Sequence, residues 1–191
     1  MKANSIPKLG AVRTVFLDRD GVINQKLPEG EYISCWDEFQ LLPGADGAIA
    51  ALNRSGRRVL VVSNQRGVAL GLYDLKDVDE IHRKLQERLK EVGAHVDRFY
   101  YCPHDKDECD CRKPKTGMFE QAFRDFPDAD AEHSLMIGDS LSDMEAARAL
   151  GMRAIFIEGD PETQKPGSKE AAGLADAVTT SLPEAVELLP G

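Results

Sequence analysis

Phe16-Leu17-Asp18-Arg19-Asp20-Gly21-Val22-Ile23-Asn24 is the stretch on which the reading of this chain turns. It closes an apolar run, Val12 to Leu17 interrupted by Arg13 and Thr14. It then drops into two carboxylates one residue apart and a glycine. The run predicts a strand, and an open α/β sheet carries its site beyond the carboxyl ends of its strands. Taken alone, Asp-x-Asp-Gly is as well read as an Asx-type turn in which Asp and Gly serve the backbone. The rest of the chain decides between the two.

Downstream, Arg19 to Pro43 is a long connection, of the length usually given to lids and binding loops. Ala45 to Ser55 predicts a helix stopped by Gly56. Arg58 to Val62 is apolar without alternation, as in a strand buried on both faces, and leads into Ser63-Asn64-Gln65-Arg66-Gly67. Asp74 to Val92 is the longest helix, with an N-cap at Asp74 and an apolar stripe of Val78, Ile81, Leu85, Leu89 and Val92. His82 and His95 are assigned no role. Further strands are expected over Val96 to Tyr101, Ser134 to Ile137 and Ala154 to Ile157, with a short edge strand over Asp176 to Val178. Helices are expected over Met118 to Phe126, Leu141 to Leu150 and Pro183 to Leu189. Ser140 and Asp143 are placed for a capping box, and Glu158 to Gly173 reads as surface loop with one helical turn. Alternating strands and helices imply a doubly wound, Rossmann-like parallel sheet covered on both faces.

The 191 residues are read as a single domain, 1–191, with Met1 to Gly10 as a loose lead-in. A net charge of −9 opposes a nucleic-acid partner, which needs a basic footprint. The sequence holds no apolar segment long enough to span a bilayer and no secretory signal, so a cytoplasmic monomer is expected.

The cysteines are Cys35, Cys102, Cys109 and Cys111. Three fall within ten residues together with His104, a Cys₃His set that fits a structural zinc with all four positions filled by protein. The competing reading, a cluster of buried thiols, fits poorly with the polar Asp105-Lys106-Asp107-Glu108 between them. Cys35 is left over as a free, structural cysteine.

Four predicted strand ends or loops carry residues that suit one reaction: Asp18 and Asp20, Ser63 and Asn64, Arg112 and Lys113, Asp139 and Asp143. Singly, these are turns, caps and solvated charges; their joint placement fits phosphoryl transfer. Close carboxylates repel one another unless a cation intervenes, and all-oxygen ligands suit Mg²⁺. Asp18 can attack phosphorus to form an aspartyl-phosphate, and Asp20 can act as acid and base. Ser63 and Lys113 can bind the equatorial oxygens.

Asp18-x-Asp20-Gly21, Ser63-Asn64, Lys113-Pro114 and Gly138-Asp139-x3-Asp143, in this order, resemble the four motifs of the haloacid dehalogenase-like phosphatase superfamily. The resemblance implies that Asp18 is the nucleophile and Asp20 the acid/base. It implies that Asp18, the Asp20 carbonyl and Asp139 hold Mg²⁺, with Asp143 in support. No insertion interrupts the motifs, so no separate cap domain is expected. The cysteine cluster followed by Cys111-Arg112-Lys113-Pro114 resembles the branch of D-glycero-D-manno-heptose 1,7-bisphosphate phosphatases and histidinol-phosphate phosphatases. Ser63-Asn64-Gln65-Arg66-Gly67 and Gly138-Asp139-Ser140-Leu141-Ser142-Asp143 look more like the heptose enzymes, which serve cell-envelope polysaccharide synthesis. The short His104-to-Cys109 gap looks more like the histidinol-phosphate type. Arg66 stands where the pattern has a small residue. The resemblance implies that Arg112 contacts substrate, and Asn64, Arg66 and Lys113 join it as candidate substrate-binding residues. With Lys26, these cations would suit a small sugar bearing two phosphates. The reading from another class is a zinc-stabilised binding module whose acids are only caps and turns.

Overall fold

In the computed structural model, residues 11–164 and 166–190 are described; the expected lead-in, Met1 to Gly10, lies outside the described residues. Six parallel strands form one sheet in the order β3-β2-β1-β4-β5-β6: β1 Thr14–Leu17, β2 Arg58–Asn64, β3 Arg98–Cys102, β4 Ser134–Gly138, β5 Arg153–Ile157 and β6 Ala177–Thr179. The helices are α1 Ala45–Arg54, α2 Arg66–Ala69, α3 Leu75–Lys90, α4 Gly117–Asp125, α5 Leu141–Ala149, α6 Ser168–Leu174 and α7 Leu182–Glu187.

The pleat sorts the apolar strand residues onto two faces. Val15, Leu17, Val61 and Ile137 point into one core with Ile49 and Leu52 of α1, Leu85 and Leu89 of α3, and Leu182 of α7. Phe16, Leu60, Val62 and Met136 point into the other, with Phe119 of α4, Met144 of α5 and Ala171 of α6. Both faces are thus covered, and so the strands need no polar alternation. The sheet is the doubly wound parallel one the sequence predicts, and no inserted domain interrupts it among the described residues.

Three local readings are corrected. α3 ends at Lys90, so Val92 falls beyond the buried stripe and is 40% exposed. The one helical turn expected within Glu158 to Gly173 is a longer helix, α6, that runs on to Leu174, and α2 forms immediately after β2, where no element was expected. The N-cap at Asp74 is made as expected, Asp74 accepting from the backbone of Lys76 and Asp77, and Asp77 completes a capping box by accepting from Asp74 N.

The strand order reverses between β1 and β4, which pair in register, Leu17 opposite Ile137. This is the topological switch point where such sheets open a crevice. Asp18 and Asp139 sit just past it on adjacent strands. The long connection after β1 returns on itself at a narrow neck: Asn24 bridges to both Asp20 and Leu41, and Leu42 N donates to Ile23 O at 3.0 Å. A single 3₁₀ turn, Trp36–Glu38, is the regular structure inside it.

Candidate active site

The tips of β1 and β4 bring the acids together. Ligand oxygens of Asp18, Asp139 and Asp143, all buried, lie within 4.8 Å of one another. Two glycines make room for them. Gly21 has φ +94°, and a Cβ there would come within 2.2 Å of Asp139 Oδ2; one at Gly138 would come within 2.5 Å of Asp143. The Asp-Gly and Gly-Asp pairs therefore do more than turn the chain: they let backbone pass directly under carboxylates.

Lys113 is the counter-charge. Its side chain is 1% exposed, and Nζ lies 3.0 Å from Asp18 Oδ1 and 2.6 Å from Asp143 Oδ1 while donating to Val62 O at 2.7 Å. Burial pulls against its charge, but Asp143 and then Asp18 outweigh burial and hold the ammonium's pKa above its ordinary value. Asp143 is fixed from the other side by the capping box of α5, where Ser140 N and Oγ donate to its Oδ2 at 3.1 and 2.6 Å. Lys26 reaches over from the long connection to hydrogen-bond Asp139 Oδ2.

Asp20 stands at the head of a second, tighter shell. Arg19 donates to both its oxygens at 3.0 Å, Asn24 Nδ2 to Oδ1 at 2.9 Å and Gln65 Nε2 to Oδ2 at 3.0 Å. Burial raises the Asp20 pKa, yet the Arg19 charge and these hydrogen bonds carry it below the ordinary value. Gln65 Nε2 also donates to Ser63 Oγ at 2.7 Å, which leaves the Ser63 proton for another acceptor. Arg19 itself is 1% exposed, and its Nη1 lies 3.5 Å from His82 Nε2. Burial, then the Arg19 charge, pushes His82 down to about 3, so the ring is neutral and stacks on Phe99 at 4.4 Å.

Asn64 grips the loop that carries Lys113. Its side chain is spent on the Lys113 backbone: Nδ2 donates to Lys113 O and Oδ1 accepts from Lys113 N, both at 3.0 Å. It therefore positions Lys113. Arg66 pairs with Asp105 of the cysteine loop, Nε to Oδ1 at 2.6 Å and Nη2 to Oδ2 at 3.2 Å. Arg112 donates to His104 O at 3.3 Å. Asp105 is drawn down to about 2, first by the Arg66 hydrogen bond, with Lys106 N and the charges of Arg66 and Arg112 adding.

Arg19, Gln65 and His82 were not singled out by the sequence as site residues. The available signal was position: Arg19 lies between the two aspartates, and Gln65 is two residues from Ser63 in extended chain, hence on the same side.

Two sites fit metals. The three carboxylates at the crevice are hard oxygen donors of the kind Mg²⁺ takes. Cys102, His104, Cys109 and Cys111 converge with sulfur–sulfur separations of 3.0 to 3.4 Å and His104 Nδ1 3.3 Å from Cys111 Sγ. Those separations are too long for a disulfide and close to the edges of a small tetrahedron. Cys35 is exposed, so it is free but holds nothing in the core, contrary to the structural role expected of it. A cavity of about 570 Å³ opens beside Gly21, Lys26 and Asp139. Among the described residues no helix is long and apolar enough to cross a membrane.

Comparison with known proteins agrees with this geometry. A HAD-hydrolase-like family model matches residues 110–185. The D-glycero-alpha-D-manno-heptose-1,7-bisphosphate 7-phosphatase of Mycobacterium bovis is 40% identical over 169 residues, 88% of this chain and 86% of its own length. The D-glycero-beta-D-manno-heptose-1,7-bisphosphate 7-phosphatase of Pseudomonas aeruginosa is 41% identical over 145 residues, 75% of this chain and 80% of its own. The crystal structure of a D,D-heptose 1,7-bisphosphate phosphatase from B. bronchiseptica, complexed with magnesium and phosphate, superposes with a TM-score of 0.80. It is 32% identical and covers 92% of this chain and 97% of its own.

Proposed function

The chain belongs to the haloacid dehalogenase-like hydrolases, in the branch of the heptose-1,7-bisphosphate 7-phosphatases, and from that premise we propose that it removes the 7-phosphate of D-glycero-D-manno-heptose 1,7-bisphosphate. The observation that carries the reading is the buried Asp18–Lys113–Asp143 group set beside Asp139 at the switch point of the sheet.

In this reading Asp18 attacks phosphorus: an aspartyl oxygen–phosphorus bond forms as the ester P–O bond breaks, and Asp20 gives the leaving alkoxide its proton. Water then attacks the aspartyl-phosphate and passes its proton to Asp20, releasing phosphate and restoring Asp18. The Arg19 and Gln65 contacts favour ionised Asp20, the form that takes the proton from water. A bound phosphate's negative charge favours the protonated form needed first. Lys113 and the free Ser63 proton steady the equatorial oxygens. Asp18, Asp139 and the Asp20 carbonyl would hold Mg²⁺, which screens the nucleophile's charge from the phosphate's. Zinc on the four-residue cluster would pin a loop too short to build its own core. The substrate is a small phosphorylated sugar, and a cytoplasmic monomer of one domain suffices.

The test is phosphate release, with Mg²⁺, from both anomers of heptose 1,7-bisphosphate and from histidinol phosphate side by side. Preference for a heptose anomer is expected. Preference for histidinol phosphate would reject the substrate, and normal turnover by a folded Asp18→Asn variant would reject the covalent mechanism.

A further inference from the structure

We propose that Asp105 is a positioning residue for Arg66, and that the pair forms the seat for the second phosphate of a bisphosphate substrate. The inference rests on the reading above and extends it to residues outside the reacting centre.

The geometry of the pair carries it. Asp105 engages Arg66 along one edge, through Nε and Nη2. A guanidinium has five N–H groups; Asp105 takes two, and the other three are shared between Tyr32, which also interacts with Arg66, and a second anion. A carboxylate along the Nε edge fixes the plane of the fork, the arrangement that suits bidentate phosphate on the remaining N–H groups. The pair is half-buried, at 35% and 29% side-chain exposure, whereas the helix-surface pair Arg83–Glu80 is at 53% and 46%. Asp105 is itself held: Lys106 N donates to its Oδ1 at 2.6 Å, and its own N donates to Glu108 at 3.0 Å.

Place matters as much as shape. Arg66 follows Gln65, whose amide touches both Asp20 and Ser63, so the root of the side chain is one residue from the catalytic shell. Asp105 follows His104 of the cysteine cluster, so the ion pair ties that loop to the end of β2 across 39 residues of sequence. Arg112, next to Lys113, adds its charge to the same carboxylate.

The experiment compares Asp105→Ala, Asp105→Glu, Arg66→Ala and the double alanine variant on heptose 1,7-bisphosphate and on a sugar monophosphate. Zinc content of each protein checks that the loop is intact. Losing a charged hydrogen-bonding partner should raise KM for the bisphosphate about tenfold in either alanine single variant, with kcat unchanged. KM for the monophosphate should not move, and Asp105→Glu should recover part of the loss. The double variant should be no worse than Arg66→Ala, because Asp105 acts only through Arg66. Additive losses, or a lower KM in Asp105→Ala, would overturn the proposal. If the wild type turns over monophosphates alone, both this inference and the substrate reading fail. If all variants keep the preference for bisphosphate, only the inference fails.

Discussion

Replacing Lys113 with methionine removes the one ammonium that stands between Asp18 and Asp143. The three side chains are 1%, 9% and 0% exposed, so water cannot take over the role. Deleting one partner of a buried ion pair typically costs about 3–5 kcal/mol, because the remaining charge is left uncompensated. Here two carboxylates are left, fixed in place by Arg19 N on Asp18 and by the Ser140 cap on Asp143. A loss of ~3–5 kcal/mol is therefore expected without metal, against the ~5–15 kcal/mol that keeps a domain folded. The variant should remain folded, as far-ultraviolet circular dichroism would show, but without turnover. Mg²⁺ should stabilise it more than it stabilises the wild type, since the ammonium that offset the carboxylates is gone. Urea unfolding with and without Mg²⁺ measures both effects. A loss under about 1 kcal/mol, the size of an exposed pair, would refute the reasoning by showing that the site is wet and the ammonium dispensable.

Three further outcomes are expected. His82 is held neutral to about 3 in the folded chain, well below its ordinary value, so the unfolded chain takes up a proton first. Wild-type stability should then fall as pH drops below about 6.5, by about 1.4 kcal/mol per pH unit from this group. His82→Phe, which keeps the stack on Phe99, should flatten that slope, and identical slopes in urea unfolding at acid and neutral pH would refute it. Lys26→Met removes a cation from Asp139 and should tighten Mg²⁺ binding roughly fivefold, about 1 kcal/mol, by calorimetry; weaker binding would mean that Lys26 supports the site rather than competing for it. Chelating zinc should lower the melting temperature, and an unchanged melting temperature would argue against a structural zinc.

The strand tips were readable because each pairs an apolar run with an abrupt polar ending, and because the capping box of Ser140 and Asp143 is a local signature. The cysteine cluster was readable from spacing alone, since four residues able to ligate a metal fall within ten positions. What surrounds Asp20 was not. Arg19 becomes the largest fully buried side chain only because Gln65 and His82, 46 and 63 residues away, close over it. No local pattern records a partner at that range. The use of Asn64 was hidden for the same reason, as its partner is 49 residues off. Val92 misled because a helical period continues in sequence past the point where the helix itself stops at Lys90.

The two-point grip of Asn64 on the Lys113 backbone has a consequence for exchange and redesign. Lys113 arrives on a loop, not a strand, yet its register is set by an amide rooted in the sheet. The segment between Cys102 and Arg112 is thereby insulated from the chemistry. Its length and its charges can be swapped for those of another loop, with the ammonium still delivered to the same carboxylates. Such a module changes which ester is admitted while leaving unchanged how the ester is cut.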